Sequence, residues 1–342
     1  MGDPRAHPVD PISGALSRDY DPRRPFAAGD LVRIRRGSYY PTEQWVALDD
    51  VARFRLTLEA FAWANPGAVF CGETALFLDG IPVVKAPTTI DVATTSRSRL
   101  GASSSPFDVR GSTDMARRAR SVPSVPVRRH FHASIDPVDT DGHLTVAPEV
   151  ALVETLIHGK FARALTVADG LLRRKPSVPL LDRAPITSAI NNLQYATHRR
   201  RVETTARLAR VGAESPGESV SRAIMLLFGF QEPLLQVEHS DAAGFIGRTD
   251  FTWPPGLEVA QELNLERVGE FDGWGKYFNA ALHPGEDAMA VIRREKRREN
   301  RLLASGRPVL RWTWAELERP ALLRARLIEG GLRPKLSAAI AI

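Results

Sequence analysis

The chain has 342 residues, 43% of them hydrophobic, which is enough for two or three cores when domains hold about 100–200 residues each. Its 46 Lys and Arg against 40 Asp and Glu give a formal charge of +6, which suits a phosphate-bearing partner, although Arg-rich composition also accompanies high-GC genomes. A single cysteine, Cys71, excludes an internal disulfide and a CxxC zinc site; the opening residues show no signal-peptide pattern and no run reaches the roughly 18 apolar residues of a membrane span, so a soluble cytosolic protein without a membrane role is expected.

Residues 1–25 are rich in Pro, Asp and Arg and carry little apolar periodicity, so most of them are expected to be loosely ordered. Leu31 to Pro41 alternates apolar and basic residues and turns at Gly37, predicting a small ribbon with Arg33, Arg35 and Arg36 on one face. Val51, Phe54, Leu58, Phe61 and Ala62 recur at helical spacing and stop at Asn65-Pro66-Gly67, so a helix is predicted over 49–65. The stretch 68–76 predicts a short strand or turn leading into a short helix. Ile90–Thr94 and Val125–His132 predict strands separated by a Ser- and Arg-rich connection, and Glu149–Ile157 and Arg163–Leu172 predict helices.

Pro176, Pro179 and Pro185 mark a linker. Helices are predicted over Ser188–Arg210 and Ser219–Phe228 on either side of a break at Gly212–Gly217. Strands are predicted at Leu234–His239, Gly247–Trp253, Glu266–Phe271 and Pro308–Thr313, with helices at Ala288–Ala304 and Arg319–Glu329, the alternation of a compact α/β/α domain. Trp253, Trp312 and Trp314 are expected to pack that sheet rather than stack on bases.

The acids of this last part fall in an informative order: Glu218 near a helix start, Asp250 in a strand, Glu270 and Asp272 at a strand end, then Lys276. Carboxylates from a helix and two strands suit a hard divalent cation, which activates water and neutralises charge on a scissile phosphate, while a lysine steadies the transition state. That reading expects Asp250 and Glu270 on adjacent strands with their carboxylates within roughly 6 Å. The alternative is ordinary: surface carboxylates are usually solvated, Glu218 suits a helix N-terminus and Asp272 suits a turn before Gly273. Arg293 to Arg301 is strongly basic, so Arg294, Arg297 and Arg298 are candidate phosphate contacts, against the reading of a solvated helix. His130, His132 and His198 have no carboxylate or cysteine partner evident in sequence and are expected to be ordinary histidines. No nucleotide-binding glycine loop occurs.

Four blocks, Gly247–Pro254, Gly269–Tyr277, Arg294–Asn300 and Gly306–Trp314, resemble the nuclease-like domain related to very-short-patch-repair endonucleases, of the PD-(D/E)XK superfamily, over about residues 215–328. The resemblance implies a restriction-endonuclease-like α/β/α domain with Mg²⁺ or Mn²⁺ at Glu218, Asp250 and Glu270. Asp272 then stands where the superfamily usually has lysine, and Lys276 supplies the ammonium from a shifted position. In the N-terminal half, Gly29–Pro41, Asn65–Ala75 and Gly142–Glu149 with Ala164–Leu172 resemble AbiEi antitoxins of type IV toxin–antitoxin systems, which implies a DNA-binding winged helix and a cognate toxin as partner. Only residues 13–30 remain for helices before the wing, and Pro22 and Pro25 interrupt them, so that motif is shortened or degenerate. The expectation is therefore an α/β (α+β) chain: a degenerate winged helix-turn-helix over 1–42, a mixed α/β AbiEi-like domain over 43–175, a linker and helix over 176–214, and a nuclease-like domain over 215–342. Its expected function is DNA binding with Mg²⁺-dependent endonuclease activity, or alternatively non-catalytic regulation as an antitoxin.

Overall fold

The computed structural model describes residues 21–104, 106–255, 266–273 and 288–334. It is an α/β protein with small mixed and antiparallel sheets. The chain divides into two compact units, Met1–Thr155 and Leu156–Ile342.

The first unit opens with α1 (Arg23–Ala28), β1 (Leu31–Arg35), β2 (Ser38–Pro41), α2 (Thr42–Ala47) and α3 (Asp50–Ala64). The Asp49 carboxylate caps α3 by accepting from Ala52 N at 2.7 Å. One side of α3 carries Leu56 and Ala60 into a core with Val32, Ile34, Tyr40 and Trp45, and another carries Phe54, Leu58 and Phe61 into a second core with Phe70, Phe77, Ile90 and Val92. A helix buried on two sides has its apolar residues spread around the axis, which is why a single stripe understates it.

Then follow α4 (Gly72–Leu78), β3 (Ile90–Thr94), β4 (Gly101–Ser103), β5 (Asp108–Val109), α5 (Asp114–Arg120), β6 (Val127–Phe131), β7 (Val138–Thr140) and β8 (His143–Thr145), and α6 (Pro148–His158) carries the chain across the boundary. The Ser- and Arg-rich stretch expected as a plain connection thus holds two short strands and a helix. Its strand β5 adds to the ribbon, giving the order β2-β1-β5, so β1 is the central strand of a three-stranded sheet. A second sheet has the order β3-β6-β4, with β3 parallel to β6 and β4 antiparallel to it.

The second unit takes in the end of α6 and continues with α7 (Phe161–Arg174), α8 (Ala184–Asn191) and α9 (Ala196–Leu208). The expected linker does not separate domains here. Leu180 is buried within it, and Arg183 is buried with Nη1 donating to Leu171 O at 3.2 Å and Nη2 to Lys175 O at 3.0 Å. The boundary falls before α7 because Phe161 and Leu165 pack on Ala223 and Leu226 of the next helix.

That helix is α10 (Pro216–Leu227), followed by β9 (Leu234–Asp241), β10 (Gly244–Trp253), β11 (Arg267–Phe271), α11 (Ala288–Ala304), β12 (Val309–Trp312), α12 (Trp314–Glu318) and α13 (Pro320–Glu329). The strands form one sheet in the order β12-β11-β10-β9, antiparallel except for the β11–β12 pair. The parallel pair requires a crossover, and α11 lies within it. On one face Phe251 and Trp312 lie 5.2 Å apart, and Trp312 Nε1 donates to Ser221 Oγ of α10 at 2.8 Å. Gly217 lets α10 come this close: a Cβ there would stand 1.9 Å from the Phe271 ring. The opposite face receives α11 through Arg298. Trp253 and Trp312 are buried in the packing as expected, and Trp314 meets Phe271 edge-on at 5.3 Å.

Candidate metal centre and basic face of the second unit

The sheet register lines up the predicted site. Thr249 pairs with Val237 and Phe251 with Leu235, which sets Asp250 opposite Gln236. Phe251 also pairs with Gly269, so Asp250 stands one step beyond that pair, beside Glu270, and Glu270 itself pairs with Arg311. A row of Gln236, Asp250, Glu270 and Arg311 therefore crosses all four strands. Asp250 turns toward β11, where its Oδ2 accepts from Phe271 N at 2.9 Å.

Glu218 reaches this row from the first turn of α10. Ser215 caps the helix, its Oγ accepting from Glu218 N at 3.3 Å while donating to Glu218 Oε1 at 2.7 Å, and Glu214 N donates to Glu218 Oε2 at 2.9 Å. Gln236 links the two acids, its Nε2 lying 2.9 Å from Glu218 Oε2 and 3.5 Å from Asp250 Oδ1. To do so Gln236 takes a left-handed φ of 54° inside a strand, a conformation costing about 1–3 kcal/mol that is stored most often at functional sites. Burial pushes the Glu218 carboxyl above its ordinary value, and the charge of Asp250 adds to the shift. Two neighbouring carboxylates with one nearly enclosed favour a cation between them.

Glu270 is committed differently. One oxygen is bound by Arg298 and the other lies 2.6 Å from Arg311 Nη2, while Arg311 Nη1 lies 3.2 Å from Asp272 Oδ2. Burial opposes the charge on both arginines, but Glu270, together with Glu295 beside Arg298 and Asp272 beside Arg311, raises the pKa of each on balance. In the position expected for lysine, Asp272 thus takes a guanidinium from the next strand. Lys276 lies outside the described residues. The expected trio does not close tightly: among the described residues, the group of three ligands whose atoms come within 4.8 Å of one another is Cys71, His132 and Glu154 of the first unit, not Glu218, Asp250 and Glu270.

Arg294 and Arg297 are exposed on α11 beside Arg293, while Arg298 is drawn inward onto Arg248 O and Glu270. In the ribbon of the first unit Arg36 is exposed and Arg33 pairs with Asp108 at 2.9 Å. Arg35 departs from its expected place on a solvated face. A register irregularity between Arg33 and Arg35 turns it inward, where it is buried with its guanidinium 4.9 Å from the Phe61 ring centroid. Burial and the nearby Arg129 bring its pKa down to about 10. It is therefore not part of the solvated basic face that the alternation predicts.

The histidines also differ from expectation. His130 Nε2 lies 2.8 Å from Asp91 Oδ1, His132 Nε2 lies 2.7 Å from Glu154 Oε1, and His143 Nε2 lies 3.1 Å from Glu59 Oε2. The two-residue spacing of His130 and His132 was legible, but the acids come from β3 and α6, far along the chain.

A test of the Glu218 environment follows. Because its folded carboxyl titrates above the ordinary 4.5, the stability associated with its proton is present below that value and lost as pH rises through the folded one. Glu218→Gln should remove this slope, and urea unfolding across the pH range will show it; an unchanged slope would place Glu218 in water.

The second unit is thus defined by its helix–sheet–helix layers and by an acidic row flanked with arginines. No family model, curated protein or solved structure matches the chain.

Proposed function

We propose that the protein binds DNA and that its second unit is a metal-dependent phosphodiesterase centre. The observation that carries this reading is the meeting of Glu218, Asp250 and the strained Gln236 at a helix start and two adjacent strands, beside a helix with exposed Arg293, Arg294 and Arg297. Glu218 and Asp250 offer hard oxygen donors that suit Mg²⁺ or Mn²⁺. When bound, such an ion supplies a nucleophilic hydroxide and Lewis acidity toward a phosphate oxygen. Exposed arginines of α11 hold the DNA backbone, and Arg311 and Arg298 orient Glu270 at the edge of the acidic row.

A second reading rests on the same Glu270. With both its oxygens engaged by arginines, the centre also suits a protein that retains the fold as a DNA clamp or as a surface for a cognate toxin, without cleavage. The distinguishing experiment incubates the full chain with supercoiled, linear and mismatched DNA, with and without Mg²⁺ or Mn²⁺. Metal-dependent nicking supports the enzyme; retained binding with every substrate intact supports the clamp. Binding itself is tested by salt: each phosphate neutralised contributes about −0.9 to the slope of log affinity against log salt, so Arg294→Ala with Arg297→Ala should flatten that slope by about 1–2. An unaltered slope would make α11 a merely solvated face.

A further inference from the structure

Outside the acidic row, the first unit brings together a thiol, an imidazole and a carboxylate from three different elements. Cys71 precedes α4, His132 follows β6 and Glu154 lies on α6. Their ligand atoms all lie within 4.8 Å of one another. Cys71 is fully buried, and the side chains of His132 and Glu154 are 10% and 21% exposed.

The geometry indicates a shared target. His132 Nε2 and Glu154 Oε1 approach to 2.7 Å, yet the imidazole nitrogen is buried with no properly directed hydrogen bond. A short contact without hydrogen-bond alignment does little as a hydrogen bond, so both atoms can serve a third partner. The second oxygen of Glu154 is held by Gly72 N at 2.8 Å, which fixes the carboxylate and leaves Oε1 facing the cluster. The Cys71 backbone is held as well, its N donating to Asp91 O at 3.0 Å, and Asp91 in turn anchors His130, near the end of β6 and two residues before His132. Such outer contacts are what keep metal ligands in place.

We propose that Cys71, His132 and Glu154 bind one thiophilic divalent cation of the Zn²⁺ class, with water completing a tetrahedral set. Sulfur and imidazole select such ions over Mg²⁺, so this site is chemically separate from the acidic row of the second unit. Metal–ligand bonds of about 2.0–2.3 Å put tetrahedral ligand atoms about 3.3–3.8 Å apart, which side-chain shifts on the order of 1 Å reach from the present spacing. A thiol nucleophile assisted by His132 is the competing use of these residues, and the complete burial of Cys71 leaves a substrate no approach to the sulfur.

The test is a Co²⁺ titration of the untagged full chain after chelator treatment. The expected result is one equivalent bound with the visible bands of tetrahedral cobalt and a thiolate-to-cobalt charge-transfer band, all bleached by Zn²⁺ and unaffected by excess Mg²⁺. Cys71→Ser should lose the charge-transfer band, Glu154→Gln and His132→Ala should bind about ten-fold more weakly or worse, and Asp250→Ala should keep every band. Circular dichroism of each variant separates lost ligation from lost folding. Absence of the charge-transfer band in the wild-type protein overturns the proposal even if no variant folds, and so does its persistence in Cys71→Ser.

Discussion

Replacing Asp169 with Ala is expected to destabilise the second unit by about 3–5 kcal/mol, the usual consequence of leaving one partner of a buried ion pair uncompensated. Asp169 on α7 and Arg222 on α10 are both completely enclosed, with Arg222 Nη1 2.8 Å from Asp169 Oδ2. The same carboxylate accepts from Ser219 Oγ and from Arg210 N, each at 2.7 Å, and the guanidinium extends to Leu208 O and Glu232. Removing the acid therefore strands a buried cation and two further donors, and the residual attraction of Glu232 recovers only part of that loss. For a unit of this size the melting temperature should fall by about 6–20 °C. Calorimetry or urea unfolding checks the value, and a loss below about 1 kcal/mol would mean that water already reaches the pair. The double variant Asp169→Leu with Arg222→Met should recover part of the stability, because it removes both charges together while leaving Glu232 without its inner partner.

The second large effect concerns chemistry. If the second unit cleaves DNA, Asp250→Ala should reduce cleavage by about 10²–10³-fold or more, since the substitution deletes a charged ligand whose position water cannot reproduce. Binding to DNA in the absence of metal should stay the same or strengthen slightly, because the deleted group is an anion facing phosphates. These opposed signs separate a catalytic defect from a folding defect. An independent readout is thermal: Mg²⁺ or Mn²⁺ should raise the melting temperature of the wild-type protein and not that of Asp250→Ala. Should the wild-type chain bind DNA, cleave none of it and ignore added metal, the clamp reading stands, and the occupation of Glu270 and Asp272 by Arg298 and Arg311 is its structural cause.

Local order in the chain was enough to predict most elements of the second unit, because strands β9 to β12 and helices α11 and α13 each carry a complete period of their own and are punctuated by Gly or Pro. The predicted helix over Ser188–Arg210 is in fact two, α8 and α9, with Asn192 to Tyr195 forming the break, a subtlety that helical periodicity passes over. Sequence order also placed Asp250 and Glu270 on successive strands, where the antiparallel register sets them side by side. What residues do with their charge was decided only by tertiary structure. Arg311 and Arg298 lie 41 and 28 residues beyond Glu270 yet take both of its oxygens, and Gln236 joins the site through a left-handed φ that no residue pattern announces. The same holds for Arg35, which alternation would put in solvent and a register irregularity buries against Phe61, and for His132, whose carboxylate and thiol neighbours come from α6 and the start of α4. Periodicity is a property of neighbours along the chain and fixes elements; ligand sets and ion pairs depend on which elements the core brings together, and that was settled by packing across long sequence separations.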